Sequence, residues 1–407
     1  MDSSAEEQTA VFLEKNGLLE VEGVLDGTGR DAVARDASPE TGRRLRGYRE
    51  GDWQTALRGL TQQGHDADES DLFLEPAWFL NLSRVVDLVG SPVLYSVRST
   101  DSPSMPDASF PMRAVGGAAG RRLEELSHPH SPLFGPIRHQ PFREATELAE
   151  SFVDTVSAER PRWDVIGLDK MDPTRPWYGA LRAALRNRGW WVQEYYCYGN
   201  WYLPTDGVTF DRYMADRPSS LRNTVRRKTR QFLRQPGGRL AIYDSPRGLE
   251  EGISAYERVW NRSWKRPDPN FHVTAEWMRR CAERGWLRLG VAWLGGTPAA
   301  AQLWAVHRGT AYIHNLCFDE DLKAFSPGTI LTARLMERVL DEDRVREVDY
   351  LIGDEPYKRK WMTHRRERWG LRAFNPRTPK GIVQGGWNIG GSWAKRRLRS
   401  LVPGKAG

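Results

Sequence analysis

Ser326-Pro327-Gly328-Thr329 stands between two runs of different period. Before it, Tyr312-Ile313-His314-Asn315-Leu316-Cys317-Phe318 is rich in aromatic and β-branched residues, which suit a half-buried pleated surface. After it, Leu331, Leu335 and Val339 recur at helical spacing, with Ile330, Met336 and Leu340 widening the stripe. A strand, a turn and a helix in that order leave the first helical amides without intrahelical partners, at the positive end of the helix dipole. The chemistry this suits is binding of a phosphate or diphosphate. Gly328 lets the backbone approach an anion closely. Pro327 lacks only an N–H that a first turn does not need, and Ser326 can serve as N-cap or add a hydroxyl donor. An ordinary capped helix is the alternative reading of the same residues.

A second group follows at once. Glu347-Val348-Asp349-Tyr350-Leu351-Ile352 reads as a short strand ending in Gly353-Asp354-Glu355-Pro356-Tyr357-Lys358-Arg359-Lys360-Trp361. Asp349, Asp354, Glu355, Tyr357 and Lys358 gather carboxylates, a phenol and an amine at one strand end. They suit either proton transfer or an ion-pair cluster that fixes the strand. No Gly-x-Ser-x-Gly elbow and no Cys–His nucleophile pair stands out. His128-Pro129-His130 has a spacing that could ligate a metal but lacks a complete ligand set, so ordinary loop histidines and no metal are expected. Cys197, Cys281 and Cys317 are odd in number and widely spaced, which argues against a disulfide framework and a thiolate zinc site and for a reducing cytoplasm.

The elements that must position these groups alternate between strand and helix from residue 72 onward, which indicates an α/β (α+β) chain. Helices are expected from Pro76, over 142–158 and 178–187, and strands over 92–97, 163–168 and 190–198, with a loop over 102–120. A helix over 219–233 carries Arg222, Arg226, Arg227, Lys228 and Arg230, with Arg234 just beyond. It is either a solvated face or a contact for phosphates or an anionic acceptor such as RNA. A strand over 239–243, helices over 249–264 and 274–284, and three antiparallel strands over 287–293, 299–306 and from 312 complete the second half. Residues 1–70 read as a poorly patterned extension, with one short strand at 18–21, and 376–407 as a basic tail containing Lys395-Arg396-Arg397-Leu398-Arg399. A net charge of +7 over 407 residues favours anionic partners. The mean hydropathy is −0.63 and no apolar run is long enough to span a bilayer. The acidic start, Met1-Asp2-Ser3-Ser4-Ala5-Glu6-Glu7, is no secretory signal.

The order Ser326-Pro327-Gly328, helix, Asp349, then Gly353 to Trp361 resembles the CelD/BcsL-type (BioF2-like) acyltransferases of the GNAT superfamily, relatives of the FemAB-like proteins. The resemblance is clearest over 220–374. It extends back to about Leu72, where Ser131-Pro132-Leu133-Phe134-Gly135-Pro136 looks like the matching loop of a degenerate first unit. It implies tandem GNAT-like units, each a mixed, mostly antiparallel central sheet flanked by helices. The first would span 71–205 and the acyl-CoA-binding one 206–375. It implies an acyl-CoA-dependent N- or O-acyltransferase in which an acceptor amine or hydroxyl attacks the thioester directly, with acetyl-CoA or another acyl-CoA as donor and a small-molecule or envelope-related acceptor. Carried over, Ser326, Pro327, Gly328 and Thr329 take the diphosphate-loop position, with Lys323 where the superfamily often has Gln or Arg. Tyr357 becomes the general acid. Asp349, Asp354 and Glu355 become base or acceptor-orienting groups, and Lys358 pairs with one of them or with a CoA phosphate. Two other classes stay open: a FemAB-like transferase using aminoacyl-tRNA, and a non-catalytic binding module on the same fold.

Overall fold

The computed structural model describes residues 45–389, apart from 63–70, 86–88, 102–104, 130 and 140–143. The strand expected at 18–21 and the basic run at 395–399 lie outside the described residues. The first half contributes β1 (Leu45–Arg49), β2 (Ser91–Ser99), β3 (Ala108–Val115), β4 (Arg122–Glu125), β5 (Ile137–Arg138), β6 (Val165–Met171) and β7 (Trp191–Pro204). The second contributes β8 (Arg239–Tyr243), β9 (Leu287–Leu294), β10 (Thr297–His307), β11 (Thr310–Phe318), β12 (Glu347–Ile352) and β13 (His364–Phe374). They join in one sheet of order β1-β2-β3-β4-β6-β13-β7-β12-β11-β10-β9-β8, with β5 beside β3. It is mixed and mostly antiparallel, and helices flank it, as the resemblance implies.

Two features of this order position the site. The parallel pairs β4–β6 and β11–β12 are each matched over three residues only, Arg122–Glu124 with Val165–Gly167 and Thr310–Tyr312 with Glu347–Asp349. Beyond those residues the partners separate, so each half contains one opening in the sheet. The halves also exchange their last strands: β7 lies between β12 and β13, and β13 between β6 and β7. The opening beside β12 is therefore walled partly by the first half.

The helices are α1 (Trp53–Gln62), α2 (Pro76–Leu82), α3 (Ala145–Ala158), α4 (Pro176–Asn187), α5 (Phe210–Ala215), α6 (Ser219–Leu233), α7 (Leu249–Arg262), α8 (Phe271–Glu283) and α9 (Pro327–Glu337). β9 and β10 read as nearly continuous apolar runs because both faces are covered. Leu287, Leu289, Val291 and Trp293 join the core under α7 and α8, whereas Ala300 and Trp304 join the core under α9. In α7, Ile253, Tyr256 and Trp260 are buried at helical spacing.

The stretch expected as a loop over 102–120 contains β3. Pro111 drew the loop expectation. It falls opposite the break between the β5 pairing (Ala108, Ser109) and the β4 pairing (Met112–Val115), where a missing N–H costs no ladder bond on that side. Residues 45–62, inside the expected extension, form edge strand β1 and helix α1. The loop at 131–136 is buried and packs against the first opening: Phe134 N–H donates to Lys170 O at 3.2 Å, and the Tyr198 hydroxyl donates to Pro132 O.

Beneath that loop, Glu125 is buried at the end of β4 and accepts from the Ser127 hydroxyl at 2.8 Å. Burial, with the nearby Asp169 carboxylate adding to it, pushes its carboxyl up to about 7 from 4.5. Because the folded value is the higher one, the stability Glu125 contributes is complete below its unfolded value and is lost as pH rises through about 7. Glu125→Gln should lack that loss. In thermal melts its stability relative to wild type should shift in its favour by about 1–2 kcal/mol between about pH 5 and about pH 8.

Candidate functional site

β11 ends in Asp319, whose side chain accepts the Asp321 N–H at 3.0 Å and starts a tight turn over Glu320–Phe325. Ser326 then adopts the left-handed conformation (φ 53°, ψ 45°), and its N–H closes on Lys323 O at 2.9 Å. That corner reverses the chain into α9, with Pro327 as its first residue. The Ser326 side chain makes no capping bond, but its carbonyl accepts Ile330 N–H at 3.2 Å. The N–H groups of Gly328 and Thr329 have no partner among the described residues. Gly328 is held from behind: its carbonyl accepts Gln302 Nε2 at 2.9 Å and the Thr332 hydroxyl at 3.0 Å. Gln302 is fully buried, and its Oε1 accepts Trp304 Nε1 at 2.9 Å, which fixes the amide's orientation. Sequence reading passed over Gln302. Its signal was a lone amide inside the apolar run Ala299-Ala300-Ala301-Gln302-Leu303-Trp304.

Lys323 is exposed beside this corner. α6 packs across it, with Lys228 Nζ on Ala324 O at 2.5 Å and Phe232 edge-on to Phe325. Only Leu221 and Phe232 of α6 are buried. Arg226, Arg227, Arg230 and Arg234 are exposed, and no ion pair among the described residues neutralises them.

The polar cluster at the end of β12 divides into two kinds of group. Asp349 is buried, and both its oxygens are occupied. Oδ1 accepts Asn200 Nδ2 at 2.5 Å and Leu351 N–H at 2.7 Å, and Oδ2 accepts Arg366 at 2.5 Å. Leu351 is left-handed (φ 54°), which interrupts the ladder to β7 and frees nearby carbonyls. The buried Lys358 ammonium collects them, donating to Tyr350 O at 3.4 Å, Ile352 O and Gly353 O at 3.2 Å, and it pairs with Glu355 at 2.9 Å. Burial lowers its pKa, and Glu355 opposes that shift. Asp349 and Lys358 thus secure the kink. Removing Arg366 would leave the Asp349 carboxylate buried without its cation, so Arg366→Met should cost about 3 kcal/mol in denaturant unfolding.

The other kind faces outward. Asp354 accepts Trp201 Nε1 at 2.5 Å and Arg365 at 3.0 Å. Glu355 is exposed, with one oxygen engaged by Lys358. Tyr357 is 42% exposed, its ring edge-on to Tyr350 at 5.8 Å. Desolvation raises its pKa, and Glu355 raises it further. Tyr350 lies near Thr332, whose hydroxyl donates to the Gly328 carbonyl. Tyr350 thus lies between the Tyr357 ring and the first turn of α9.

The structure adds groups not singled out from sequence. A bulge in the β10–β11 pairing skips His314 and leaves Asn315 past the opening. Asn315 Oδ1 accepts Lys265 Nζ at 3.2 Å, and that ammonium lies 4.3 Å from the Trp260 ring centroid. Burial lowers the Lys265 pKa, while Glu355 and Lys358 are near enough to act on it electrostatically, so this face belongs to the same neighbourhood as Tyr357. Alongside lies a cavity of about 20 Å³, lined by Trp78, Asn81, Trp277, His128, Asp268 and His314. Asn81 Nδ2 donates to Val273 O at 3.3 Å, and among the described residues the buried acceptor Asn81 Oδ1 and the buried donor Trp78 Nε1 have no partner. His130 lies outside the described residues. Among those described, no group of three potential metal ligands occurs.

Residues 219–359 match the family model described as an acetyltransferase (GNAT) domain. No curated protein matches the chain in sequence. Among solved structures, FemX aligns over 84% of this chain and 99% of its own, at 10% identity and a TM-score of 0.57. A conserved protein of unknown function from Bacteroides thetaiotaomicron VPI-5482 aligns over 80% and 99%, at 10% identity and a TM-score of 0.52. A tandem GNAT protein from the clavulanic acid biosynthesis pathway aligns over 82% and 100%, at 13% identity and a TM-score of 0.46.

Proposed function

We propose that this chain is an acyl-CoA-dependent N- or O-acyltransferase of the CelD/BcsL type, working in the cytoplasm, with 206–375 as the donor-binding unit and 71–205 as a degenerate partner. The observation that carries this reading is the open first turn of α9: two unpartnered amides, a close backbone at Gly328 and a positive helix end, beside a sheet opening and under a cationic helix. Those amides would receive the diphosphate of the donor, with Ser326, Pro327 and Thr329 shaping the corner and Lys323 adding charge. Lys358, committed to three carbonyls, serves the corner's neighbour rather than a phosphate.

The chemistry needs few parts. The acceptor nitrogen or oxygen forms its bond to the thioester carbonyl carbon, the C–S bond breaks, and the sulfur takes a proton. Tyr357, kept protonated by its surroundings, would supply that proton. Glu355 would orient the acceptor or take its proton, while Asp354 holds Trp201 and Arg365 in place. The cavity with Asn81 Oδ1 and Trp78 Nε1 suits one small neutral group that both donates and accepts, such as an acceptor's amide or hydroxyl. Much of the rate would come from holding donor and acceptor together across the opening.

Titration calorimetry with acetyl-CoA and longer acyl-CoAs, followed by assay of free thiol release over an acceptor panel, tests the reading. Absence of binding across the panel would remove it. A second reading, an aminoacyl-tRNA donor, is favoured by the unneutralised arginines of α6. A requirement for charged tRNA in the same assay separates the two.

A further inference from the structure

Lys265 is a half-buried cation with no anion in its grasp. Its ammonium donates to Asn315 Oδ1 at 3.2 Å and lies 4.3 Å from the Trp260 ring centroid, and neither partner carries charge. Among the described residues no carboxylate stands within ion-pair distance of it. Glu355 is engaged by Lys358 at 2.9 Å, and Asp268 accepts Asn270 N–H at 2.9 Å. An ammonium has three protons to donate, and one is spent. Burial lowers the pKa in spite of the Glu355 and Asp268 carboxylates nearby. Withdrawing a charge from water costs stability unless a partner offsets it, so the position suits a ligand that brings the anion.

The faces of the sheet decide which ligand. Trp260 belongs to the core under α7 and α8, whereas Ile330, Leu331 and Leu335 of α9 belong to the core on the other side of β9 and β10. With the donor's diphosphate at the α9 corner, the opposite face, where Lys265 lies, is left to the acceptor. A second observation on that face points to a ligand independently. The cavity beside α2 contains Asn81 Oδ1 and Trp78 Nε1, a buried acceptor and donor without partners among the described residues. It shares Asp268 with the turn that carries Lys265, and His314 with the strand that carries Asn315. At about 20 Å³ it has room for one small polar group. We propose that the acceptor bears a carboxylate, received by Lys265, besides the amine or hydroxyl that is acylated. It is an amino acid, a hydroxy acid or a molecule ending in one. This rests on the acyltransferase reading and names its acceptor class. A carboxylate fits better than a phosphate, because Glu355 and Asp268 act on the same place and would repel a second negative charge.

The test measures thiol release from whichever acyl-CoA binds in calorimetry, with matched acceptors: glycine, L-alanine, β-alanine and γ-aminobutyrate against their amides, and phosphoethanolamine as the phosphate counterpart. The acids should have kcat/KM at least about tenfold above their amides. The amide of an α-amino acid has the less basic amine, so more of it is free to attack at neutral pH, and intrinsic reactivity runs against that result. Lys265→Met keeps the stem over Trp260 and removes the charge. It should raise KM for the acids about tenfold to a hundredfold, leave kcat nearly unchanged and leave the amides unaffected, with a melting curve level with wild type or higher. Lys265→Arg should restore part of the preference. Amides turned over as well as acids, no acid turned over although acyl-CoA binds, phosphoethanolamine preferred to every carboxylate, or an equal KM rise for acid and amide in Lys265→Met would each overturn the inference and leave the acyltransferase reading standing. Absence of acyl-CoA binding would remove that reading and the inference with it.

Discussion

Gly328→Asp is expected to weaken acyl-CoA binding about a hundredfold or more, measured by calorimetry, while the melting temperature stays level or rises. The two halves of that result have separate causes. Position 328 is the second residue of α9, where an acidic side chain complements the helix dipole by about 0.3–1 kcal/mol. A Cβ there would meet the Phe318 ring at 3.4 Å, an ordinary contact, so the fold has room for it. The new carboxylate would occupy the space in front of the Gly328 and Thr329 amides. It would replace charge-assisted hydrogen bonds worth roughly 1.5–3 kcal/mol each with repulsion of the diphosphate. Gly328→Ala is the control. It adds only a methyl group, so most of the affinity should survive. If Gly328→Asp binds acyl-CoA as wild type does, the α9 corner is not where the donor sits.

The corner was legible because it is written in consecutive residues. Ser326-Pro327-Gly328 separates a strand-like run from a helical one, and the structure has β11, a left-handed Ser326 and α9 in that order. The meander β9–β10–β11 was legible for the same reason. β13 was not. No strand expectation falls on His364-Arg365-Arg366-Glu367-Arg368-Trp369, whose charges mask any apolar alternation, yet it is a central strand between β6 and β7. Its arginines find carboxylates that no local pattern announces: Arg366 reaches Glu347 and Asp349, and Arg368 reaches Asp172 at 2.9 Å, across 196 residues of sequence. A buried charge is acceptable when it is paired and hydrogen-bonded, and the pairing is a property of the fold.

Lys358 and Lys265 illustrate the same limit at the site. Sequence placed Lys358 among the charges at a strand end, and it does pair with Glu355, but three further partners are backbone carbonyls freed by the left-handed Leu351, a conformation that leucine's identity does not foretell. Lys265 falls between the helices expected over 249–264 and 274–284. Only the bulge that exposes Asn315 gives its ammonium a place beside the cluster. The helix over 379–389 falls in the stretch expected as a basic tail, because its buried positions, Gly381 and Gly385, are glycines and its apolar Ile382, Val383 and Trp387 are exposed, which inverts the usual pattern.

Tyr357→Phe should lower kcat for acyl transfer about 10²–10³-fold and leave the acyl-CoA dissociation constant nearly unchanged. The ring packs edge-on against Tyr350, and phenylalanine preserves that contact, so the fold and the α9 corner should not respond. What disappears is the hydroxyl proton. Desolvation and the Glu355 carboxylate both raise the Tyr357 pKa, so the phenol stays protonated across the neutral range and can give its proton to sulfur as the C–S bond breaks. The loss should therefore depend on the leaving group. A donor whose thiol is more acidic needs less help from an acid, so the gap between variant and wild type should narrow with an activated thioester. Glu355→Gln supplies the complementary check. Because Glu355 would orient the acceptor or take its proton, this variant should lower kcat by the same factor with every leaving group, whereas the loss in Tyr357→Phe should vary. An equal loss with every leaving group would mean that Tyr357 positions the acceptor instead, and a loss of donor binding alongside kcat would mean that the phenol supports the corner rather than the reaction.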